Sequence, residues 1–393
     1  MTTAISDPAQ ALLGVYRPAE PMFVAGEGST LISESGDRYL DFTSGIAVNA
    51  LGYGDVDFAA AVRESLESGV IHTSNLFRTR PAGELALWLT EHSFADRVFF
   101  CNSGAEANEG AFKFARRWAA EIGGGGKHEI IAFHGGFHGR TFGALAATDR
   151  PHLQDPFRPL MPGVHFAAIG DLDGVREVAS AAATAAIIVE PLQGEGGVQQ
   201  IPHAFLAELR ALCDEVDALL IYDEVQVGLG RTGTLWAYEA TGVAPDMLTV
   251  AKPLAGGLPM GAVLLTERVA QAIRPGDHAT TFGGGPLVAS AALAVCRRIG
   301  EPAFLAEVRR KGAWVERRLG SLRHERADVV DTRGAGLLWG VEITGDAGAV
   351  VARALDTGLL LCTAGANVVR IAPPLTISDE DLEQGFQLLA SAL

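Results

Sequence analysis

At 393 residues, 48% hydrophobic and 20% charged, the chain can bury a large core, and its length suggests two or three domains. A formal net charge of -16 argues against nucleic-acid binding, which needs clustered Lys and Arg. No basic residue precedes Arg17, the most apolar stretch (181–189) is too short to cross a bilayer, and Cys101, Cys213, Cys296 and Cys362 lack CxxC spacing, so the expectation is a soluble cytoplasmic protein without signal segment, disulfide framework, zinc site or membrane contact.

Residues 20–45 predict a short antiparallel meander, with strands at Phe23-Val24, Thr30-Leu31-Ile32 and Tyr39-Leu40-Asp41-Phe42. From 97 to 265, short apolar runs at 97–101, 129–133, 186–189, 218–222, 247–251 and 261–265 alternate with helical patterns such as 105–122 and 204–216. Continuous apolar runs separated by helices predict a mostly parallel sheet covered on both faces. Gly123 to Gly126 reads as a loop rather than a domain linker. After Pro286 an alanine-rich helix is expected to about Ile299, followed by strand candidates at 329–332, 336–343, 359–361 and 368–371. The expected architecture is α/β, with a large domain over 51–290 and a small discontinuous α+β domain built from 1–50 and 291–393.

In such sheets ligands gather beyond the carboxyl ends of the strands, which is where Asn102-Ser103-Gly104, Glu190, Asp223 and Lys252 fall. Of the four lysines, only Lys252 ends a strand-like run. An amine and a carboxylate at two buried strand ends suit a cofactor carrying an aldehyde and a pyridine nitrogen, although a buried ion pair would use the same two residues. The segment Asn102 to Glu109 opens a helix with Ser, Gly and Ala, as a phosphate cradle does; Ser103 with Glu106 also fits a capping box. On the glycine-rich loop at 133–141, Phe137 offers a ring to stack on a flat cofactor and Arg140 a fork for a carboxylate. His134 and His138 are four apart, but intervening glycines and the lack of a third ligand argue against metal. Glu190 and Glu195 share a loop that suits either an acid/base pair or a solvated turn. Alternation sends Asp223 and Val225 to one side and Glu224 and Gln226 to the other, so Gln226 needs a bend to meet a ligand.

In this order, from about residue 20 to the end, these segments resemble the class III pyridoxal-phosphate aminotransferases of fold type I. The stretches 41–49, 101–109 and 228–233 (Gly-Leu-Gly-Arg-Thr-Gly) are most similar to acetylornithine aminotransferases. The resemblance implies a large domain with a mostly parallel, seven-stranded-type sheet and pyridoxal 5'-phosphate as cofactor. It implies that Lys252 joins the cofactor aldehyde and shuttles the substrate proton. It gives Asp223 the pyridine nitrogen, Gln226 the phenolic oxygen, Val225 and Phe137 the ring faces, and Ser103, Gly104 and Ala105 the phosphate. Thr281 would reach the phosphate of a partner subunit, making a homodimer with shared active sites. Arg140, with Thr280 nearby, would bind the donor's α-carboxylate, and Glu195 would pair with Arg370 until the acceptor displaces it. The implied reaction moves the terminal amine of N2-acetyl-L-ornithine to 2-oxoglutarate, giving N-acetylglutamate 5-semialdehyde and L-glutamate, in arginine biosynthesis. Succinylornithine, ornithine, 4-aminobutyrate or a carrier-linked lysine as donor, or an aminomutase of the same fold, remain alternatives. The sequence departs from the family at Leu51 to Asp57, where a turn with histidine and proline is usual, and at Val227 and Gly285.

Overall fold

The computed structural model of the protein describes residues 11–123 and 126–393. The first ten residues, on which the expected lack of a signal segment partly rests, and Gly124 and Gly125 of the expected loop lie outside these.

The centre of the molecule is a seven-stranded sheet in the order Arg97–Cys101, Gly261–Leu265, Met247–Val250, Leu219–Asp223, Thr184–Val189, Glu129–Phe133, Val164–Ala167. Only Gly261–Leu265 runs antiparallel to its neighbours; the remaining strands are mutually parallel. Every residue of the four strands Thr184–Val189, Leu219–Asp223, Met247–Val250 and Gly261–Leu265 is buried, as helices on both faces require. The helix His203–Glu215 covers one face through Phe205, Leu206, Leu209, Leu212 and Cys213, an apolar stripe of helical period. The helix Gly104–Gly123 covers the other, with Ala107, Ala111, Ala115 and Trp118 buried against the strands.

The two chain ends meet in one region. Strand Arg38–Asp41 of the N-terminal meander pairs in parallel with Leu359–Leu360, and a second sheet follows in the order Val329–Ala335, Leu338–Ile343, Val368–Ile371, Cys362–Thr363. The chain changes sheets at Leu361, so the expected strand at 359–361 is split. Position 290, the expected domain boundary, falls inside the helix Pro286–Ile299.

Two polar anchors tie this region to the centre. Arg231, 1% exposed, donates to Leu337 O (3.0 Å) and Pro373 O (2.6 Å), and burial brings its pKa down to about 9. Tyr53, on the atypical 51–57 loop, donates its hydroxyl to Asp41 Oδ2 (2.6 Å), while Asp41 Oδ1 accepts from Thr43 and Ser44. The departure at 51–57 therefore has a structural role. Asp41 also fixes the start of an unusual turn: Ser44, Gly45, Ile46 and Ala47 all have φ between 43° and 65°, in the left-handed region that a β-branched residue such as Ile46 avoids. The bond from Ser44 Oγ to Ala372 O (2.6 Å) holds this turn, which delivers Val48 to the cavity described next.

Candidate active site

A cavity of about 540 Å³ opens at the carboxyl ends of the central strands. Its position follows from register. Asp223 ends its strand opposite Thr249 on the parallel neighbour, so Lys252, three residues past Thr249, leaves the sheet at the same edge. Both residues line the cavity, with Ser103, Gly104, Ala105, Phe137, Arg140, Glu195, Val225 and Gln226.

Asp223, 4% exposed, is held by three donors. Asn108 Nδ2 and His138 Nδ1 each lie 2.8 Å from its Oδ2, and Val225 N donates to Oδ1 at 3.0 Å. Asn108 is in turn oriented, since its Oδ1 accepts from Thr249 Oγ1 (2.8 Å) and its amide also donates to His138 O (2.7 Å). Burial opposes protonation of His138, but its hydrogen bond to Asp223 and that residue's charge outweigh it, so its pKa is raised. His134 points elsewhere, to Asp149 (3.2 Å), so the two histidines share no ligand position.

The bend that Gln226 needs is present. Glu224, wholly buried on the far side, accepts from Ala237 N (2.7 Å) and Tyr238 N (2.8 Å), which pins the chain as it turns out of the strand. Burial raises the Glu224 pKa to about 8. Val225 and Gln226 thereby both reach the cavity. Glu190 is buried beside them, with Oε1 accepting from Phe137 N (2.9 Å); burial pushes its pKa up.

At the other wall, Ser103 Oγ caps its helix by accepting from Glu106 N (3.2 Å), and Glu106 Oε2 accepts from Asn102 N (2.8 Å). Only the serine half of the capping box is formed, since Glu106 reaches the N–H of Asn102 and not that of Ser103; first-turn N–H groups have no partner within their own helix, and Gly104 and Ala105, in that first turn, line the cavity. A Cβ on Gly104 would stand 2.6 Å from Val225 Cγ1, so only glycine lets the helix start approach this closely. Unspent donors on one side and a carboxylate acceptor on the other fit a flat pyridine carrying a phosphate.

Lys252 is half-buried. Desolvation is the main influence on its amine, with opposing contributions from Glu195 and Arg370, and its pKa falls to about 8. Above that value the free amine is available to attack an aldehyde. Attachment of pyridoxal phosphate to the apoprotein is therefore expected to accelerate as pH rises through about 8 and to level off above it; a pH-independent rate in stopped-flow absorbance would contradict this assignment.

Arg370, 2% exposed, stands behind Glu195, with Nη1 2.5 Å from Glu195 Oε1 and further bonds to Gly194 O (3.1 Å) and Gln226 Oε1 (3.3 Å). Burial alone would raise the Glu195 pKa, but the guanidinium lowers it. Arg140 lines the cavity, exposed, and among the described residues no ion pair engages it. Thr280 and Thr281 are not brought in. Thr280 accepts from Asn102 Nδ2 (2.8 Å), and Thr281 lines a separate cavity with His72 and Phe77. Tyr16, Val48, Asn108 and the 257–260 turn also line the site without having been singled out from sequence. Asn108 carried a usable signal, as a polar residue on the apolar face of its helix.

Residues 16–393 match the family described as aminotransferase class-III. Over 388 residues the chain is 47% identical to the mitochondrial acetylornithine aminotransferase of Alnus glutinosa, covering 98% of this chain and 86% of that one. Among solved structures, the ornithine aminotransferase of Toxoplasma gondii superposes with a TM-score of 0.93 at 30% identity, covering 98% of this chain and 92% of that one. The N-acetylornithine aminotransferase of Stenotrophomonas maltophilia gives 0.84 at 36% identity, covering 95% and 96%. The chain belongs to the class-III aminotransferases, enzymes that work with pyridoxal phosphate.

Proposed function

We propose that this enzyme moves the terminal amine of N2-acetyl-L-ornithine to 2-oxoglutarate, releasing N-acetylglutamate 5-semialdehyde and L-glutamate, a step of arginine biosynthesis. The observation that carries this reading is the Glu195–Arg370 pair beside a cavity holding Lys252, Asp223 and the open guanidinium of Arg140. Lys252 would anchor the cofactor covalently, Asp223 would meet its ring nitrogen, Val225 and Phe137 would flank its ring, Gln226 would approach its phenolic oxygen, and Ser103, Gly104 and Ala105 would take its phosphate. When bound, pyridoxal phosphate supplies a protonated ring that draws in the electron pair left as the donor's amine-bearing carbon loses a proton.

The chain's own groups supply the rest. Lys252 Nζ takes up that proton once the donor amine has displaced it, which requires the neutral form that burial favours. Arg140 forks onto the donor's α-carboxylate. In the first half-reaction Glu195 keeps Arg370 paired, so a donor with an uncharged terminal chain meets a neutralised wall. In the second, Glu195 turns away and Arg370 takes the carboxylate next to the reacting carbon of 2-oxoglutarate. An exchange of partners suits a guanidinium this deeply buried, because leaving it unpaired is expensive. A dimer with shared sites is supported by Thr281 lying outside its own chain's Lys252 cavity, and by exposed Val70, Ile71, Leu76, Phe77 and Phe282. Four free cysteines, three of them buried, suit the reducing cytoplasm.

Arg140→Ala is expected to raise the donor KM by about 10- to 100-fold, as loss of a charge-assisted fork does, with cofactor affinity nearly unchanged. An unchanged donor KM would mean the carboxylate is held elsewhere. Ornithine is the second reading for the donor, favoured by the close superposition on an ornithine aminotransferase. Single-turnover half-reactions with acetylornithine, succinylornithine, ornithine, 4-aminobutyrate and lysine decide between them; a preference for unacylated ornithine would overturn the first reading.

A further inference from the structure

Arg370 divides its contacts between two groups of partners. Nη1 faces Glu195, Gly194 O and Gln226, whereas Nε donates to the sulfur of Cys362 at 3.3 Å. The second contact is fixed by the backbone: Cys362 lies directly opposite Arg370 across an antiparallel pair, so their side chains emerge on the same face. Cys362 sits on a two-residue edge strand, and Ala364 N bonds to Val368 O (2.9 Å) to close the hairpin behind it. When Glu195 departs, Nη1 loses its charged partner, but the Nε contact need not change.

We infer that Cys362 is a positioning residue for the oxo-acid half-reaction. Its sulfur holds the Nε edge of Arg370, so that the guanidinium keeps its plane and offers its terminal nitrogens to the incoming carboxylate after Glu195 has left. While Glu195 is in place the arginine is already held, so the thiol contributes little to the donor half-reaction. This inference rests on the reading of Arg370 as the acceptor's carboxylate site.

The experiment compares Cys362→Ala, Cys362→Ser and Arg370→Lys in the loaded enzyme, measuring each half-reaction separately. Cys362→Ala is expected to raise the KM for 2-oxoglutarate about 5-fold, the size of one modest hydrogen bond, with donor KM and first-half rate within about 2-fold of the parent. Cys362→Ser, whose hydroxyl also accepts, is expected to recover most of that loss. Arg370→Lys, which cannot present a fork, should raise the acceptor KM far more than either. If Arg370→Lys does so but Cys362→Ala leaves the acceptor KM unchanged, or slows both half-reactions equally, the role given to Cys362 is overturned. If Arg370→Lys itself leaves the acceptor KM unchanged, the reading of Arg370 falls, and this inference with it.

Discussion

Replacing Lys252 by alanine is expected to remove at least about four orders of magnitude from kcat, because one side chain serves as both covalent anchor and proton carrier. Each role alone is large: a positioned general base contributes about 10²–10⁴-fold, and covalent attachment adds orientation beyond that. No neighbour is placed to substitute. Of the acidic and imidazole groups that also line the cavity, Asp223 and His138 are bonded to each other, Glu190 accepts from Phe137 N and Glu195 is engaged by Arg370. The variant should still take up pyridoxal phosphate through the helix start at Ser103 and through Asp223, but without the visible absorbance of the lysine-bound form. It should also be rescued weakly by small primary amines, which restore a base but not its tether. Activity within tenfold of the parent would reject Lys252 as the reacting amine. The fold should survive the change, since the side chain is half-buried against a cavity rather than packed in the core.

The sequence made the centre of the fold legible because its strands are buried on both faces and therefore read as unbroken apolar runs. The strand Val164–Ala167 escaped notice for the opposite reason. It lies at the sheet edge, only Ala167 of its four residues is buried, and His165 interrupts the run. Cys362–Thr363 is too short to carry a period, and its pairing with Arg370 depends on a turn that follows it. Within the site, Lys252 and Asp223 stood out because charged residues rarely end buried strands. The need for a bend at Gln226 could be read from strand alternation, but its cause could not, since it depends on Glu224 meeting the backbone of a helix thirteen residues onward. Tyr16 reaches the cavity from a segment without periodicity, and nothing local marks it. The roles proposed for Thr280 and Thr281 could not come from residue patterns in one chain, because neither residue lines the Lys252 cavity of its own chain.

Asp223→Asn is expected to lower kcat by about 10³-fold, roughly 4 kcal/mol at 1.36 kcal/mol per tenfold, although the two side chains have nearly the same shape. The reason is that Asp223 is surrounded by donors alone: Asn108 Nδ2 and His138 Nδ1 at Oδ2, and Val225 N at Oδ1. A carboxamide must turn its NH₂ either toward the first two or toward the third, so one N–H meets another N–H whichever way it sits. A buried polar mismatch of this kind also destabilises the fold by about 1–3 kcal/mol, visible as a lower unfolding midpoint. The larger consequence is electrostatic. With the charge gone, only Glu190 remains to offset the burial of His138, whose pKa should fall from its raised position, and the cofactor's ring nitrogen would lose the group proposed to keep it protonated. Two readouts separate these effects. If only the geometry mattered, Asn108→Ala, which removes one donor and keeps the carboxylate, would reduce kcat as severely as Asp223→Asn. If the negative charge matters, Asn108→Ala should cost at most about tenfold, comparable to one hydrogen bond, while Asp223→Asn keeps its full loss even where both variants bind cofactor to saturation. A value of kcat within tenfold of the parent for Asp223→Asn would remove the carboxylate from the chemistry and leave it as a structural anchor for His138 and Asn108.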